Sequence, residues 1–183
     1  MTTSNVVTKT SLFFLFFLLF SCCSLINETK ETPPVNDVEI NRYIGKWYEI
    51  ARLPNSFEKG LVNVTATYNL LKDGNIQVIN EGYSDSPKGK YNRIEGSAWI
   101  PDKSVPARLK VSFFWFFASD YIIIELDKEN YQYAMVTSSS KDYLWILSRT
   151  PEIENDLYTK LVNIAKEKGF DIQKLYKVPQ EWN

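Results

Sequence analysis

Residues 62–71 (VNVTATYNLL) alternate between apolar and polar side chains, and residues 72–75 (KDGN) follow them directly. An alternation with period two is typical of a β-strand that has one dry face and one wet face. The Asp-Gly pair tolerates the positive φ angles that a tight hairpin turn requires. We therefore predict a strand over residues 62–71, a turn, and an antiparallel return strand over residues 76–83.

Strand-like segments of this kind continue on both sides of the hairpin, between residues 45 and 149. No helical pattern separates them, so a parallel sheet is not expected. The predicted fold class is all-β and antiparallel, either a sandwich or an up-and-down barrel. Eight strands are predicted, over residues 47–52, 62–71, 76–83, 91–100, 107–114, 121–126, 131–136 and 143–148.

One helix is predicted after the last strand, over residues 151–168. Thr150 can cap its first turn, Pro151 suits the first helical position, and Gly169 follows its end. Its apolar residues recur at spacings of three and four and form one stripe, made of Leu157, Leu161, Ile164 and Ala165. The helix can bury this stripe only by packing on the outside of the sheet. The tail after it is a short strand or an extended segment.

The composition excludes several classes of function. The formal net charge is -1, which gives no basic stripe for nucleic acid. There is no histidine, so Ser-His-Asp and Cys-His triads and the commonest metal ligand are absent. We therefore predict no catalytic residues, no metal site, no cofactor and no enzymatic activity. A bound haem would need tyrosine or Met135 as its axial ligand.

The N-terminus is predicted to be an export signal. Residues 12–20 (LFFLFFLLF) are apolar, but nine residues are too few to span a bilayer and suit a signal peptide over residues 1–21. The following Leu19-Phe20-Ser21-Cys22 resembles the lipobox of bacterial lipoproteins, which implies acylation of Cys22. Two alternatives stay open, acylation of Cys23 and an ordinary signal peptide. Residues 22–38 are then the acylated N-terminus and a flexible tether, unless they form an ordered arm.

Three motifs in order carry a family resemblance: Gly45-Lys46-Trp47-Tyr48-Glu49, Asp120-Tyr121, and Arg149 just before the helix. They resemble the signatures of the lipocalin family, in its bacterial Blc-like and apolipoprotein-D-like branch, and the likeness covers about residues 40–178. It implies one lipocalin domain over residues 39–183, an eight-stranded up-and-down barrel over 45–149 with the helix outside. It also implies that Trp47 closes the barrel floor and Arg149 lies across it, unless Arg149 only caps the sheet edge.

A barrel of eight strands has room for one small ligand, and alternate residues line its interior. We predict an inner wall made of Tyr68, Val78, Val111, Phe113, Tyr121, Ile123, Tyr133 and Trp145. This wall suits an acyl chain, although large aromatic side chains could instead fill the barrel. Glu125 shares the spacing of Tyr121 and Ile123, so it either faces the interior or is turned outward by a local register shift.

Phe113-Phe114-Trp115-Phe116-Phe117 is a run of five aromatic residues, more than one strand face can bury. It is predicted to lie at a barrel rim. An exposed apolar patch marks a contact, and four interpretations compete: a lip that dips into the bilayer, a homodimer interface, a gate to the cavity, or packing under a neighbouring loop.

These observations together predict a membrane-anchored protein that carries or stores a lipid. The residues indicate only an apolar ligand. The Blc-like resemblance implies fatty acids or lysophospholipids as ligands, the bacterial outer membrane as location, and a homodimer. The alternatives are a structural envelope protein with a filled barrel and a carrier of another apolar molecule, such as a pigment or tetrapyrrole.

Overall fold

Nine strands form one sheet in the computed structural model, which describes residues 31–114 and 116–182. The strands are β1 (Gly45–Arg52), β2 (Leu61–Leu70), β3 (Ile76–Ser84), β4 (Tyr91–Trp99), β5 (Arg108–Phe114), β6 (Phe117–Leu126), β7 (Tyr133–Thr137), β8 (Leu144–Ser148) and β9 (Tyr176–Lys177). The helices are α1 (Ile40–Tyr43) and α2 (Asn155–Glu167), with a 3-10 turn at Ile172–Lys174.

The sheet closes on itself. Each strand from β1 to β7 pairs antiparallel with the next strand along the chain, and β8 pairs antiparallel with β1. The short β9 adds to the free end of β1. The prediction of an eight-stranded antiparallel up-and-down barrel with one helix outside is therefore confirmed.

The up-and-down order gives the barrel two distinct ends. At one end, the floor, β1 begins and β8 ends, and the turns after β2, β4 and β6 lie there too. At the other end, the mouth, lie the loops over residues 53–60, 85–90 and 138–143 together with the turn between β5 and β6. The described residues of the aromatic run, Phe113, Phe114, Phe116 and Phe117, are therefore at the mouth, as the sequence predicted.

Residues 31–38 form an ordered arm, and the prediction of a flexible tether is wrong for them. The Val35 main-chain N–H donates to the Ile123 oxygen at 2.9 Å, and Val38 is buried in the same cluster as Ile123. Glu31 pairs with Arg108 at 2.6 Å. The predicted signal peptide, Cys22 and residues 22–30 lie outside the described residues. No helix within residues 31–114 and 116–182 is both long and apolar enough to cross a membrane.

Helix α2 begins at Asn155 rather than at Pro151, so the predicted start is wrong. Thr150 closes a turn of its own, since its hydroxyl donates to the Glu152 oxygen at 2.6 Å and is not available to cap a helix. Gly169, with φ of +82°, follows the helix as expected. The predicted stripe does pack on the barrel wall, with Leu161 fully buried.

The C-terminal segment closes a gap between β1 and β2. These two strands pair only near the floor, where Gly45–Tyr48 face Thr65–Tyr68. Closer to the mouth, residues 176–182, the C-terminal strap, bridge them: the Val178 N–H donates to the Ile50 oxygen at 2.9 Å. The Gln180 amide then donates to main-chain oxygens of both strands, at 2.8 and 3.0 Å.

Candidate functional site

One hydrophobic cluster contains side chains from all eight barrel strands and therefore occupies the interior. A second cluster draws on β1, the following Leu53, β6, β7, β8 and the C-terminal helical region, and lies between the wall and α2. The interior cluster includes Trp47, Tyr68, Val78, Ala98, Leu109, Ile123, Val136 and Leu147. The two clusters together show which face of each strand is inward.

The structure places seven of the eight predicted wall residues in the interior cluster. They are Tyr68, Val78, Val111, Phe113, Tyr121, Ile123 and Trp145. The eighth, Tyr133, belongs to the cluster under α2, so its predicted position is wrong. The cause is Tyr131, which is buried in the interior with φ of 56°. This left-handed residue shifts the alternation, so that Ala134 and Val136 face inward instead.

A second shift occurs in β6. The pairing with β7 slips between Ile123 and Glu125, and Leu126 is in the interior cluster whereas Glu125 is not. Glu125 pairs with Met135, which lies under α2. The outward alternative for Glu125 is therefore confirmed, and Met135 is not placed to reach a ligand inside the barrel.

The floor is closed by a tryptophan and an arginine in contact. The Arg149 guanidinium carbon lies 3.8 Å from the centre of the Trp47 indole, which is fully buried. Trp47 Nε1 donates to the Tyr43 oxygen at 2.8 Å. Gly45 has φ of +95°, and a β-carbon there would lie 3.3 Å from Arg149 Nη1, so glycine suits both the backbone and the space.

Arg149 also binds the main chain around it, which rules out that it only caps a sheet edge. Its nitrogens donate to five carbonyl oxygens at 2.8 to 3.2 Å, those of Arg42, Tyr43, Ile44, Lys46 and Tyr131. Asp120, from the second family motif, pairs with Lys110 at 2.8 Å and so joins β6 to β5.

Three tyrosine hydroxyls meet inside the barrel. The Tyr121 hydroxyl lies 2.6 Å from that of Tyr43 and 2.9 Å from that of Tyr68. Burial raises the pKa of all three well above the ordinary tyrosine value, so they stay neutral at physiological pH. Because these hydroxyls hydrogen-bond one another, they place an uncharged polar patch on a mostly apolar wall.

A charged network lies between the interior and the mouth. Arg52 Nη1 donates to Glu49 Oε1 at 2.7 Å, and Nη2 donates to the main-chain oxygens of Glu58 and Leu61 at 2.5 and 3.3 Å. Trp145 Nε1 donates to Glu58 Oε2 at 3.0 Å. All three charged side chains are buried. The network holds the mouth loop that carries Glu58 against β1 and β8.

Glu49 is the more deeply buried of the two acids in this network. Burial raises its pKa well above the usual range, the neighbouring Glu58 raises it further, and Arg52 lowers it. Glu49 therefore keeps a proton at pH values where an exposed glutamate has lost it. The period-two spacing between Trp47 and Glu49 could have predicted that Glu49 faces inward. Glu58 lies in a loop, where no such spacing could have predicted that it contacts Glu49.

Phe113, Phe116 and Phe117 of the aromatic run border an open groove beside β4 and β5. The groove has a volume of about 620 Å³ and is lined by Gly96, Ser97, Trp99, Ser112, Phe113, Phe116, Phe117 and Ala118. β4 pairs with β5 only at residues 97–99, so the two strands separate toward the mouth. Phe113 packs directly on Gly96, where a β-carbon would lie 2.7 Å from its ring.

Asn80 supplies one further polar atom. Its Oδ1 is buried and accepts no hydrogen bond from any described residue. Asn80 alternates with Val78 on β3 and pairs with Ala66, which packs against the interior cluster. It is therefore an acceptor on the inner wall. Among the described residues, no three acidic or thiol side chains gather where they could hold a metal ion.

Known proteins share this architecture. The family described as "Lipocalin-like domain" matches residues 38–180. The chain belongs to the lipocalins. The outer membrane lipoprotein Blc of Vibrio cholerae is 46% identical over 167 residues, which covers 89% of this chain and 97% of the relative. Apolipoprotein D of Bos taurus is 38% identical over 152 residues, 78% of each chain.

A solved structure agrees with the lipocalin fold. Insecticyanin from Manduca sexta superposes with a TM-score of 0.66 at 23% identity, covering 84% of this chain and 85% of its own, and this likeness shows the fold alone. Lipocalins are binding proteins, and membership implies a small hydrophobic ligand in the barrel. The Vibrio relative is, by its name, a lipoprotein of the outer membrane.

Proposed function

We propose that this lipocalin carries or stores a fatty acid or a lysophospholipid in its barrel, at the bacterial outer membrane. The observation that carries the proposal is the interior cluster, which places apolar side chains from all eight strands inside the barrel. Each methylene that leaves water for such a wall contributes about 0.8 kcal/mol. An acyl chain, which consists mostly of methylenes, therefore gains more free energy from burial in this interior than a polar ligand does.

The polar atoms inside favour a ligand with a hydrogen-bonding head. Asn80 Oδ1 has no donor among the described residues, and a hydroxyl of the ligand would supply one. A buried acceptor that lacks its partner costs about 1–3 kcal/mol, so a donor on the ligand restores part of that free energy. The glycerol hydroxyl of a lysophospholipid is such a donor.

The proposed anchor is an acyl group on Cys22. The lipobox-like Leu19-Phe20-Ser21-Cys22 supports it, and so does the similarity to the Vibrio lipoprotein. Mass analysis of the N-terminal peptide of membrane-purified protein tests it: acylated Cys22 as the first residue is expected. An unmodified peptide, or a peptide that carries the lipid on Cys23, would contradict it.

The formation of a homodimer stays a prediction. Sedimentation of the protein in detergent tests it.

Native mass spectrometry of the membrane-purified protein in mild detergent tests the ligand. Titration with palmitate and with a lysophospholipid should give one saturable adduct per barrel. Val111→Trp, which fills a partly buried inward position, should abolish the adduct, whereas the neighbouring outward Lys110→Trp should keep it. An Asn80→Leu variant should weaken the lysophospholipid more than the fatty acid.

Two outcomes would replace the proposal. A folded protein that gives no adduct with either lipid would indicate a filled barrel with a structural role. A coloured purified protein would indicate a pigment or tetrapyrrole. Met135 is not available to such a ligand because it lies under α2, so a haem would depend on tyrosine alone.

A further inference from the structure

The charged network below the mouth contains more acid than base. Glu49 and Glu58 are 4 and 8% exposed. Among the described residues, Arg52, which is 3% exposed, is the cation that pairs with them. Lys59 follows Glu58 in the loop but is exposed, and water and salt screen an exposed charge far more than a buried one. Two buried carboxyl groups therefore share one buried cation, and a second cation would balance them.

These charges act on the inside of the barrel. Arg52 pairs across the sheet with Trp145, which packs against the interior cluster, so the network lies on the inner face of β1. Burial raises the pKa of Tyr68, and the charges of Glu49 and Glu58 raise it further. A charged group on a bound ligand therefore meets the field of both acids.

Three aromatic rings, the ring cluster, lie beside Glu58. Trp145 Nε1 donates to Glu58 Oε2 at 3.0 Å, and the centre of the Trp145 ring lies 6.0 Å from that of Tyr143 and 6.5 Å from that of Phe57. The rings of Phe57 and Tyr143 are 6.2 Å apart. Phe57 is 62% exposed, and the other two are partly exposed, so a ligand at the mouth can reach the cluster. Ring faces attract cations, and clustered rings are a common site for quaternary ammonium groups.

The wall below this site offers a further acceptor. Asn80 Oδ1 is buried and accepts no hydrogen bond from any described residue. Asn80 pairs with Ala66, which in turn pairs with Trp47, so Asn80 lies across β2 and one inward position nearer the floor than Glu49. The polar groups here thus call for a ligand that brings donors.

The sign of the charge decides which head group suits the site. The carboxylate of a free fatty acid would lie near two acids, and a buried acid disfavours a second negative charge. An ammonium group gains from the same acids and from the ring faces. Charge complementarity therefore favours a head group that carries a positive charge.

We propose that the ring cluster and Glu58 form the head-group site of this lipocalin, and that the site selects a lysophospholipid with a positively charged amine, such as choline or ethanolamine. An anionic lysophospholipid and a free fatty acid are then the weaker ligands. This inference rests on the proposed function, because it needs an acyl chain in the barrel. It adds the charge of the head group and the residues that recognise it.

Competition between two lysophospholipids with the same acyl chain tests the site. Lysophosphatidylcholine carries the amine and lysophosphatidylglycerol does not, and both are added in equal amounts to the membrane-purified protein in mild detergent. Native mass spectrometry measures the ratio of the two adducts on the folded protein. We expect the choline lipid to exceed the glycerol lipid about tenfold, which corresponds to about 1.4 kcal/mol.

Two variants and a matched control assign the preference to residues. Glu58→Gln should bring the ratio close to one, since it removes the counter-charge and keeps a side chain of the same size. Phe57→Ala should lower the ratio several-fold through the loss of one exposed ring. The control is Phe114→Ala, which removes a phenylalanine of similar exposure, 60%, on the turn between β5 and β6, and should keep the wild-type ratio.

The outcomes separate this inference from the proposed function. Equal adducts of both lipids on the wild type overturn the head-group site and keep a lipid carrier. No adduct with either lipid overturns both. A choline preference that persists in Glu58→Gln and Phe57→Ala, or that falls equally in Phe57→Ala and Phe114→Ala, also overturns the site. If Glu58→Gln does not fold, the comparison of the two phenylalanine variants decides.

Discussion

Arg149 joins several segments of the main chain at the floor of the barrel. Its cation lies on the Trp47 ring and its nitrogens reach carbonyl oxygens of α1, β1 and the segment before β7. Lysine is a point charge and cannot reproduce this planar fork. This single side chain therefore holds α1 against the floor of the barrel.

Arg149→Ala should lower the free energy of unfolding by about 2–4 kcal/mol, through the lost cation–π contact and the unsatisfied carbonyl oxygens. Arg149→Lys should recover less than half of that loss. Denaturation in urea measures both, with Arg93→Ala on the exposed part of β4 as a control that should stay near the wild type. If Arg149→Ala unfolded at the wild-type urea concentration, the role at the floor would be refuted.

Glu49 should make stability depend on pH in an unusual direction. Because its pKa is raised in the folded state, the folded protein holds a proton that the unfolded chain releases above about pH 4.5. Stability from this residue is therefore complete at low pH and is lost as the pH rises toward the folded pKa, by up to about 1.4 kcal/mol per pH unit. Glu49→Gln should remove this loss.

Urea unfolding between pH 4.5 and 8 measures the difference between Glu49→Gln and the wild type. Glu129→Gln, in an exposed floor turn, serves as the control and should keep the wild-type slope. Parallel pH profiles for Glu49→Gln and the wild type would show that Glu49 is ionised in the folded protein, and that the network is held by Arg52 between two carboxylates.

Among the elements, the regular strands were predictable from sequence and the irregular positions were not. The period of two in residues 62–71 and the Asp-Gly turn are local signals, and the structure has β2 and β3 there. Tyr133 was misplaced because Tyr131 adopts a positive φ with its ring buried in the interior, which the spacing of the sequence does not signal. The start of α2 was misplaced because Thr150 bonds forward to Glu152 instead of capping.

The charged network could not have been predicted because it joins distant segments. The alternation with Trp47 could have placed Glu49 inside, but a lone carboxylate in an apolar barrel is costly, and the sequence does not show which residues would partner it. The fold brings Arg52 and the loop residue Glu58 to it, so that Arg52 donates to Glu49 and lies 3.9 Å from the Glu58 carboxylate. Such partners come from tertiary structure, which the alternation of apolar and polar residues in the sequence does not predict.

Helix α2 stabilises the barrel from outside, so a change in its buried stripe should separate stability from binding. Leu161→Ala removes a fully buried side chain and should cost about 2–4 kcal/mol of unfolding free energy. The exposed Asn163→Ala on the same helix is the control. Ligand adducts in native mass spectrometry should be unchanged in both, and a loss of binding in folded Leu161→Ala would show that the helix shapes the cavity.

For the molecule as a whole, the C-terminal strap makes the barrel wall complete. Strands β1 and β2 diverge above Tyr48 and Thr65, and the strap is the backbone that joins them there. The charged network lies beside the same gap, since Arg52 pairs with Tyr176 of the strap. Closure of the wall thus depends on a segment far from both strands in sequence.

Removing residues 179–183 should therefore open a side exit for the ligand. Asn63 loses the Pro179 oxygen and the Glu181 main chain, and Gln180 no longer bridges β1 and β2. Each lost hydrogen bond costs about 0.5–1.5 kcal/mol, enough to raise the rate of ligand release by about tenfold or more if the gap opens. Stopped-flow release of a fluorescent fatty acid measures it, with Glu181→Ala, which keeps the main-chain bonds to Asn63, as the control. Release at the wild-type rate from the shortened chain would mean that ligands leave only through the mouth, and that the strap serves stability alone.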